Sequence, residues 1–370
     1  MRMKMMLIRT LTATVLFLVL AKVNVWADTR THLVLAVGYR AFLLAAPIFL
    51  ALGLSGAMRA SLALSALAVG AAIYSVNELT MGLLAIGMAV SGYLAKVVAT
   101  HTSEGAADNK VSLNIGSLFS GLLLLLAIRP DGLLAFCSIL LVVTLALAWR
   151  IDWGAVAVES SKPASQTRTG YRKRFLPMLG WSLIGIATGI KLTGIFAVLP
   201  QYLIANLGVL PQWFGALVIV NSLIVILIQH RVLRVLDRLG NRATFLVSLS
   251  AMSLLAAPAL FQVNFLPMAL FWITLLTLGE CALSRYDRTA KEAGYLFPKE
   301  LMVGVGSFAS VWLSRSFPHL MWASGALGSA ALVLGVLLSH PGFLSTAPRL
   351  MRRNNKGFFI PPKGAVSDNA

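Results

Sequence analysis

The chain has 370 residues, of which 58% are hydrophobic and 12% charged, with a mean hydropathy of +0.83. A soluble domain carries roughly 25% charged residues, so this composition excludes an ordinary soluble enzyme. The formal charge of +18 would suggest a nucleic-acid partner in a soluble protein. Here the basic residues lie in short loops between apolar runs, where they face anionic lipid, and the bilayer is the expected partner.

A transmembrane helix needs about 20 mostly apolar residues, and the chain supplies such runs repeatedly. The first, 7–27, resembles a signal peptide, with a basic start and Val25-Trp26-Ala27 before Asp28. Its length and the presence of Lys22 favour a retained span. Eleven further spans are expected at about 33–54, 57–75, 79–99, 111–128, 132–150, 177–204, 211–230, 243–262, 265–284, 300–317 and 320–340. The least distinct boundaries are those between the second and third spans and at Pro318.

The distribution of charge orients these spans. Arg2, Lys4 and Arg9 precede the first, Arg59 marks the second turn, and Lys96 and Lys110 flank the fourth connection. Arg231, Arg234, Arg238 and Arg242 follow the eighth span, and Arg285, Arg288, Lys291 and Lys299 follow the tenth. Arg30 and Arg129 alone fall in the alternate loops, which are short and nearly uncharged. Short loops rich in Lys and Arg stay cytoplasmic, so both termini are expected inside and the protein in the inner (cytoplasmic) membrane. Residues 151–176, with their Ser, Thr, Lys, Arg and Pro163, read as a cytoplasmic linker. The expected division is a six-helix bundle at 1–150, the linker at 151–176, a second six-helix bundle at 177–340 and a basic tail at 341–370. The fold class is therefore an all-α polytopic membrane protein of about twelve helices in two bundles. In such an arrangement a substrate binds near the midplane between the halves.

Asp237-Arg238-Leu239-Gly240-Asn241-Arg242 follows the eighth span. It is similar to the D-R-x-G-x-R core of the loop motif of the major facilitator superfamily, and with the two six-span halves the chain resembles that family. The resemblance implies a secondary transporter in which Asp237, Arg238 and Arg242, with Gly240 at the turn, latch one conformation. Carboxylates suit helix N-termini and guanidinium groups suit C-terminal carbonyls. Leu233 stands where the motif has a glycine, and the first-half counterpart, Gly53 to Arg59, lacks the aspartate. Asn114-Ile115-Gly116 looks like the family's N-x-G pattern, implying close helix packing at Asn114 and Gly116. Leu278-Gly279-Glu280 is similar to a G-E pair in several exporters. Lys22 in the first span and Lys191 in the seventh occupy parallel settings in the two halves.

Charged groups within a bilayer are functional candidates by default. Lys191, in the middle of its span, is the leading candidate for substrate or coupling contact. Lys22 lies near an outer helix end, where it can snorkel, Arg40 lies about a third of the way into the second span, and Arg315 reads as an interfacial anchor. Glu280 is the one carboxylate expected inside a span, as a proton carrier or in a fixed bridge to Arg285 or another cytoplasmic-side arginine. Gln201, Tyr202 and Asn221 are candidates for a central cavity, with Asn24, Trp26, Tyr93 and Trp181 behind them.

The predominance of positive charge in the spans points to an anionic or zwitterionic substrate, possibilities including a siderophore-like metabolite. Proton-coupled efflux by alternating access, by a monomer without cofactor or metal, is the expected function. Cys137 and Cys281 read as buried thiols, the five histidines show no metal-ligand spacing, and no nucleotide-binding G-x-x-x-x-G-K-[ST] loop is present. The alternative is a polytopic membrane enzyme acting on a lipid-linked substrate. Its sole polar cluster would be His101, Glu104 and Asp108.

Overall fold

In a computed structural model the described residues are 2–99, 103–126, 129–151, 172–258, 261, 263–317 and 321–339. Most of the expected linker, the tail, His101 and Pro318 lie outside them. So do the side chains of Glu104, Asn24 and Trp26.

The chain folds into helices, with no strand among the described residues. The first six are α1 (Arg2–Trp26), α2 (Thr29–Ala41), α3 (Gly53–Ala72), α4 (Glu78–Ala99), α5 (Ser103–Leu125) and α6 (Pro130–Trp149). The second six are α7 (Arg172–Thr193), α8 (Phe214–Leu239), α9 (Asn241–Leu255), α10 (Leu266–Glu292), α11 (Leu296–Ser316) and α12 (Met321–Ser339). Two are prolonged. A 3₁₀ turn, Phe42–Ala45, carries α2 into a short helix, Ala46–Leu50, and a π-helical stretch, Gly194–Val198, carries α7 into Leu199–Leu207. Among the described residues nine segments are long and apolar enough to cross a membrane, and α5, α9 and α11 are the three of the twelve helices outside that set.

Local chemistry sets the ends. Asp28 caps α2, its carboxylate accepting from the backbone N–H of Thr31 at 2.7 Å. That hydrogen bond holds the exposed Asp28 carboxyl below its ordinary range. The indistinct boundary between the second and third spans resolves at Gly53, whose φ of +73° turns the chain.

Packing repeats between the halves. In the first, α1 packs on α5 and α6, α4 on α2 and α3, and α3 on α6. In the second, α7 packs on α11 and α12, α10 on α8 and α9, and α9 on α12. Each pairing maps onto its counterpart six helices later. The principal contacts between halves, α2 with α11 and α5 with α8, exchange under the same operation. The architecture is thus a pseudo-two-fold pair of six-helix bundles. Leu67, Ile139 and Leu227 point outward at 73%, 62% and 71% exposure, as a surface facing lipid chains requires.

Several helices outrun the apolar spans. α8 continues to Leu239 and α10 to Glu292, so Arg231, Arg234, Arg238, Arg285, Arg288 and Lys291 are helical rather than in loops. Residue hydropathy marks where a helix leaves the apolar layer, not where its backbone hydrogen bonding stops. These residues define a basic end of the bundle, opposite a charge-poor end.

Candidate functional site

Small residues bring the helices close enough to enclose a polar interior. On α5, a Cβ at Gly116 would lie 2.5 Å from the Thr10 carbonyl oxygen of α1. Gly121 of α5 and Gly215 of α8 face each other, so that a Cβ on either would lie 2.9 or 2.6 Å from the other's carbonyl oxygen. On α11, a Cβ at Gly304 would come within 2.8 Å of the Ala41 nitrogen of α2.

Between the halves lies a cavity of about 90 Å³. Its charged lining comprises Arg9, Arg40, Lys96, Lys110 and Lys191 against Glu280, Asp287 and Glu300. These cations outnumber the carboxylates, so the lining carries a positive excess.

Two ionic groups make up most of this charge. In the first, Glu280 of α10 is held between Lys191 of α7, at 2.6 Å, and Lys110 of α5. The Glu280 side chain is 11% exposed. In the second, Glu300 of α11 pairs with Arg40 of α2 at 2.9 Å and Lys96 of α4 at 2.6 Å. Asp287 of α10 pairs with Lys96 at 2.9 Å and Lys299 at 2.5 Å. Both groups therefore cross between halves.

The charge-poor side of the cavity is roofed by Phe17 of α1 and Phe196 of α7, which stack with ring centroids 4.4 Å apart and planes at 21°. Phe196 sits on the π-helical stretch beyond Lys191. Further toward that end, Arg315 of α11 donates to His32 Nδ1 and Thr29 Oγ1 of α2, each at 2.9 Å. Toward the basic end, the halves touch through long side chains. Lys96 reaches Asp287 and Glu300, and Lys291 of α10 donates to the Val97 carbonyl of α4 at 3.0 Å.

The structure brings Lys191, Glu280, Arg40 and Asn221 to one cavity, with Asn114 beside them. Asn221 accepts from Thr277 Oγ1 at 2.7 Å, and Asn114 donates to the Lys110 carbonyl at 2.9 Å. Lys22 lies apart, in a separate cavity at the charge-poor end with Leu124 and Gln212. Gln201 and Tyr202, on the continuation of α7, are also outside the central lining, while Tyr93 stacks edge-on against Phe297 and Trp181 against Tyr286.

The expected Glu280–Arg285 bridge does not form, because Arg285 reaches Asp237 at 3.0 Å and Thr244 at 2.6 Å. Asp237 also pairs with Arg288 at 2.9 Å, tying the end of α8 to α10. Gly240, with φ +85°, makes the turn from α8 to α9, and Arg238 and Arg242 are exposed.

Sequence reasoning missed six charged members of the site, Asp287 among them. Arg9, Lys96, Lys110 and Lys299 were assigned to loops or tails by their charge, and Glu280 is not the one buried carboxylate, since Glu300 is fully buried. The available signal was local. Lys96 interrupts an apolar run on α4, and Lys110 precedes Asn114 by one helical turn.

No protein-family model and no curated protein matches the chain. Solved structures match it over nearly its whole length. A glutamate-to-glutamine mutant of the peptide transporter POT aligns with TM-score 0.65 and 15% identity, covering 91% of this chain and 93% of that one. A POT family transporter in complex with 5-aminolevulinic acid aligns with TM-score 0.64 and 11% identity, over 91% and 94%. The human organic anion transporter MFSD10 (TETRAN) aligns with TM-score 0.57 and 12% identity, over 92% and 98%. The chain thus has the fold of the major facilitator transporters.

Proposed function

We propose that this chain is a secondary transporter that moves a small anionic or zwitterionic metabolite across the membrane by alternating access. The observation that carries the reading is the cation-rich cavity between two pseudo-symmetric halves, bridged by ion pairs as well as by a shared apolar core. Charged groups in a bilayer interior are costly and are retained where they line a pathway. An excess of Lys and Arg over carboxylates selects for negative charge in the cargo. Similarity to structures described as an organic anion transporter and as a transporter bound to 5-aminolevulinic acid supports such a cargo.

The finer reading is proton-coupled efflux by a monomer in the inner membrane, with termini and basic end cytoplasmic. The positive-inside distribution supports that orientation. Glu280, facing both halves through Lys110 and Lys191, is the proposed coupling group, with Lys191 releasing it when substrate binds. Asp237 with Arg285 and Arg288 is the proposed latch at the basic end.

The test is untargeted metabolomics of medium and cytoplasm in cells lacking the protein, with wild-type, Lys191→Ala and Glu280→Gln rescue strains. Retention of a polar metabolite, relieved by the wild type alone, is expected. Loss of a lipid or glycan product without any change in distribution between compartments would replace transport with the membrane-enzyme reading.

A further inference from the structure

Arg9 differs from every other cation of the cavity. It lies on α1, is 5% exposed and lines the cavity. Lys110 and Lys191 share Glu280, and Arg40 and Lys96 share Glu300. Arg9 has no carboxylate at ion-pair distance among the described residues. Its Nε instead donates to the neutral Asn109 Oδ1 of α5 at 3.1 Å. On the other side, Gly92 of α4 leaves room for the guanidinium. A Cβ there would lie 3.0 Å from Nη1 and 4.0 Å from Nη2.

A guanidinium withdrawn from water with no carboxylate in contact, Glu300 attracting it only from beyond ion-pair distance, is destabilising. Three helices nonetheless cooperate to hold this one in place: α1 carries it, α5 orients it through Asn109, and α4 makes space for it with a glycine. Nε is engaged, and the Nη pair presents a planar donor fork that matches an oxyanion. We infer that Arg9, oriented by Asn109, is the anchor for the anionic group of the transported molecule, a carboxylate or a phosphate. This inference rests on the transport reading above and assigns the missing ion-pair partner to the cargo. Arg9 binds the cargo, and Asn109 is a positioning residue.

The test is thermal unfolding of the purified full-length protein in detergent, with titrations of succinate, lactate, glutamate and inorganic phosphate. In the absence of anion, Arg9→Gln is expected to raise the apparent Tm by about 2–4 °C, because a buried charge without an ion-pair partner is removed. At least one of the four anions is expected to stabilise the wild type. Arg9→Gln is expected to weaken that response by ~10-fold or more in half-saturating concentration. Arg9→Lys keeps the charge without the fork, and is expected to weaken the response while leaving the anion-free Tm near wild type. Asn109→Ala is expected to raise the half-saturating concentration less than Arg9→Gln does.

Equal half-saturation in wild type and Arg9→Gln would overturn the anchor and leave the transport reading intact. A lower anion-free Tm in Arg9→Gln, with the Arg9→Lys response unchanged, would also overturn it by making Arg9 structural. No response of the wild type to any of the four anions, with metabolite release intact in cells, would overturn the anchor alone. Loss of both would overturn the transport reading.

Discussion

Lys96 on α4 and Glu300 on α11, 204 positions apart in sequence, meet at 2.6 Å inside the bundle. The same ammonium reaches Asp287 on α10 at 2.9 Å. One side chain of the first half thereby joins two helices of the second. Neither carboxylate depends on it alone, since Lys299 also serves Asp287 and Arg40 also serves Glu300.

Lys96→Met is therefore expected to weaken closure at the basic end rather than to unfold the protein. In a background with Cys137 and Cys281 replaced by alanine, the cavity-lining Ser117→Cys is expected to label several-fold faster with a membrane-impermeant maleimide applied from the basic face. Unchanged labelling would show that Lys96 does not hold this end closed.

The Glu280 triad makes an asymmetric prediction. Lys191→Met leaves Glu280 paired with Lys110. Glu280→Gln leaves the buried Lys191 and the half-buried Lys110 ammonium groups facing each other without the carboxylate they share. Removing one partner of a buried pair costs about 3–5 kcal/mol, so Glu280→Gln is expected to lower the thermal midpoint clearly more than Lys191→Met does. Equal losses would contradict the shared-carboxylate arrangement.

At the charge-poor end, the approach of α5 to α8 rests on backbone proximity. Gly121→Val places side-chain atoms where the Gly215 carbonyl already lies. Such overpacking costs about 1–3 kcal/mol unless the helices separate. The predicted outcome is separation of α5 from α8, read as faster labelling of Ser117→Cys from the face opposite the basic one. A fall in stability without a gain in labelling would place the strain elsewhere.

Asp28 gives a pH dependence whose sign is fixed. Its folded carboxyl lies below the ordinary range because the Thr31 backbone N–H favours the charged form. The cap therefore contributes fully above the ordinary carboxyl range, and its contribution is lost as pH falls through the depressed folded value. Amide exchange at Thr31 is expected to speed up in acid, and Asp28→Asn, which caps without titrating, is expected to remove that dependence.

The fold was legible because membrane physics writes it coarsely. Apolar runs and alternating charge located the helices, and the two sixes followed. Helix ends were less legible where an amphipathic end protrudes, as at Leu239 and Glu292. Within the site, Lys191, Arg40 and Glu280 stood out because each interrupts an apolar run. Arg9 and Lys110 did not, and Lys96, although it too interrupts an apolar run, stands near a helix end, where a basic residue reads as an interface anchor. Only the packing of α1, α4 and α5 around the cavity distinguishes an interface anchor from a cation turned into the cavity. Glu300 was hidden for the same reason, standing at the start of α11 beside Lys299.

Alternating access is the central claim, and paired distances at the two ends test it most directly. Spin labels at Met3→Cys and Arg238→Cys report the basic end, and labels at Tyr74→Cys and Gln212→Cys report the charge-poor end. Both pairs join opposite halves. Pulsed dipolar spectroscopy in lipid nanodiscs, comparing the wild-type background with Lys96→Met and Gly121→Val, is expected to show reciprocal changes. Lys96→Met widens the first pair and narrows or preserves the second, while Gly121→Val does the reverse. Distances that stay fixed in both variants, or that widen together at both ends, would contradict the account.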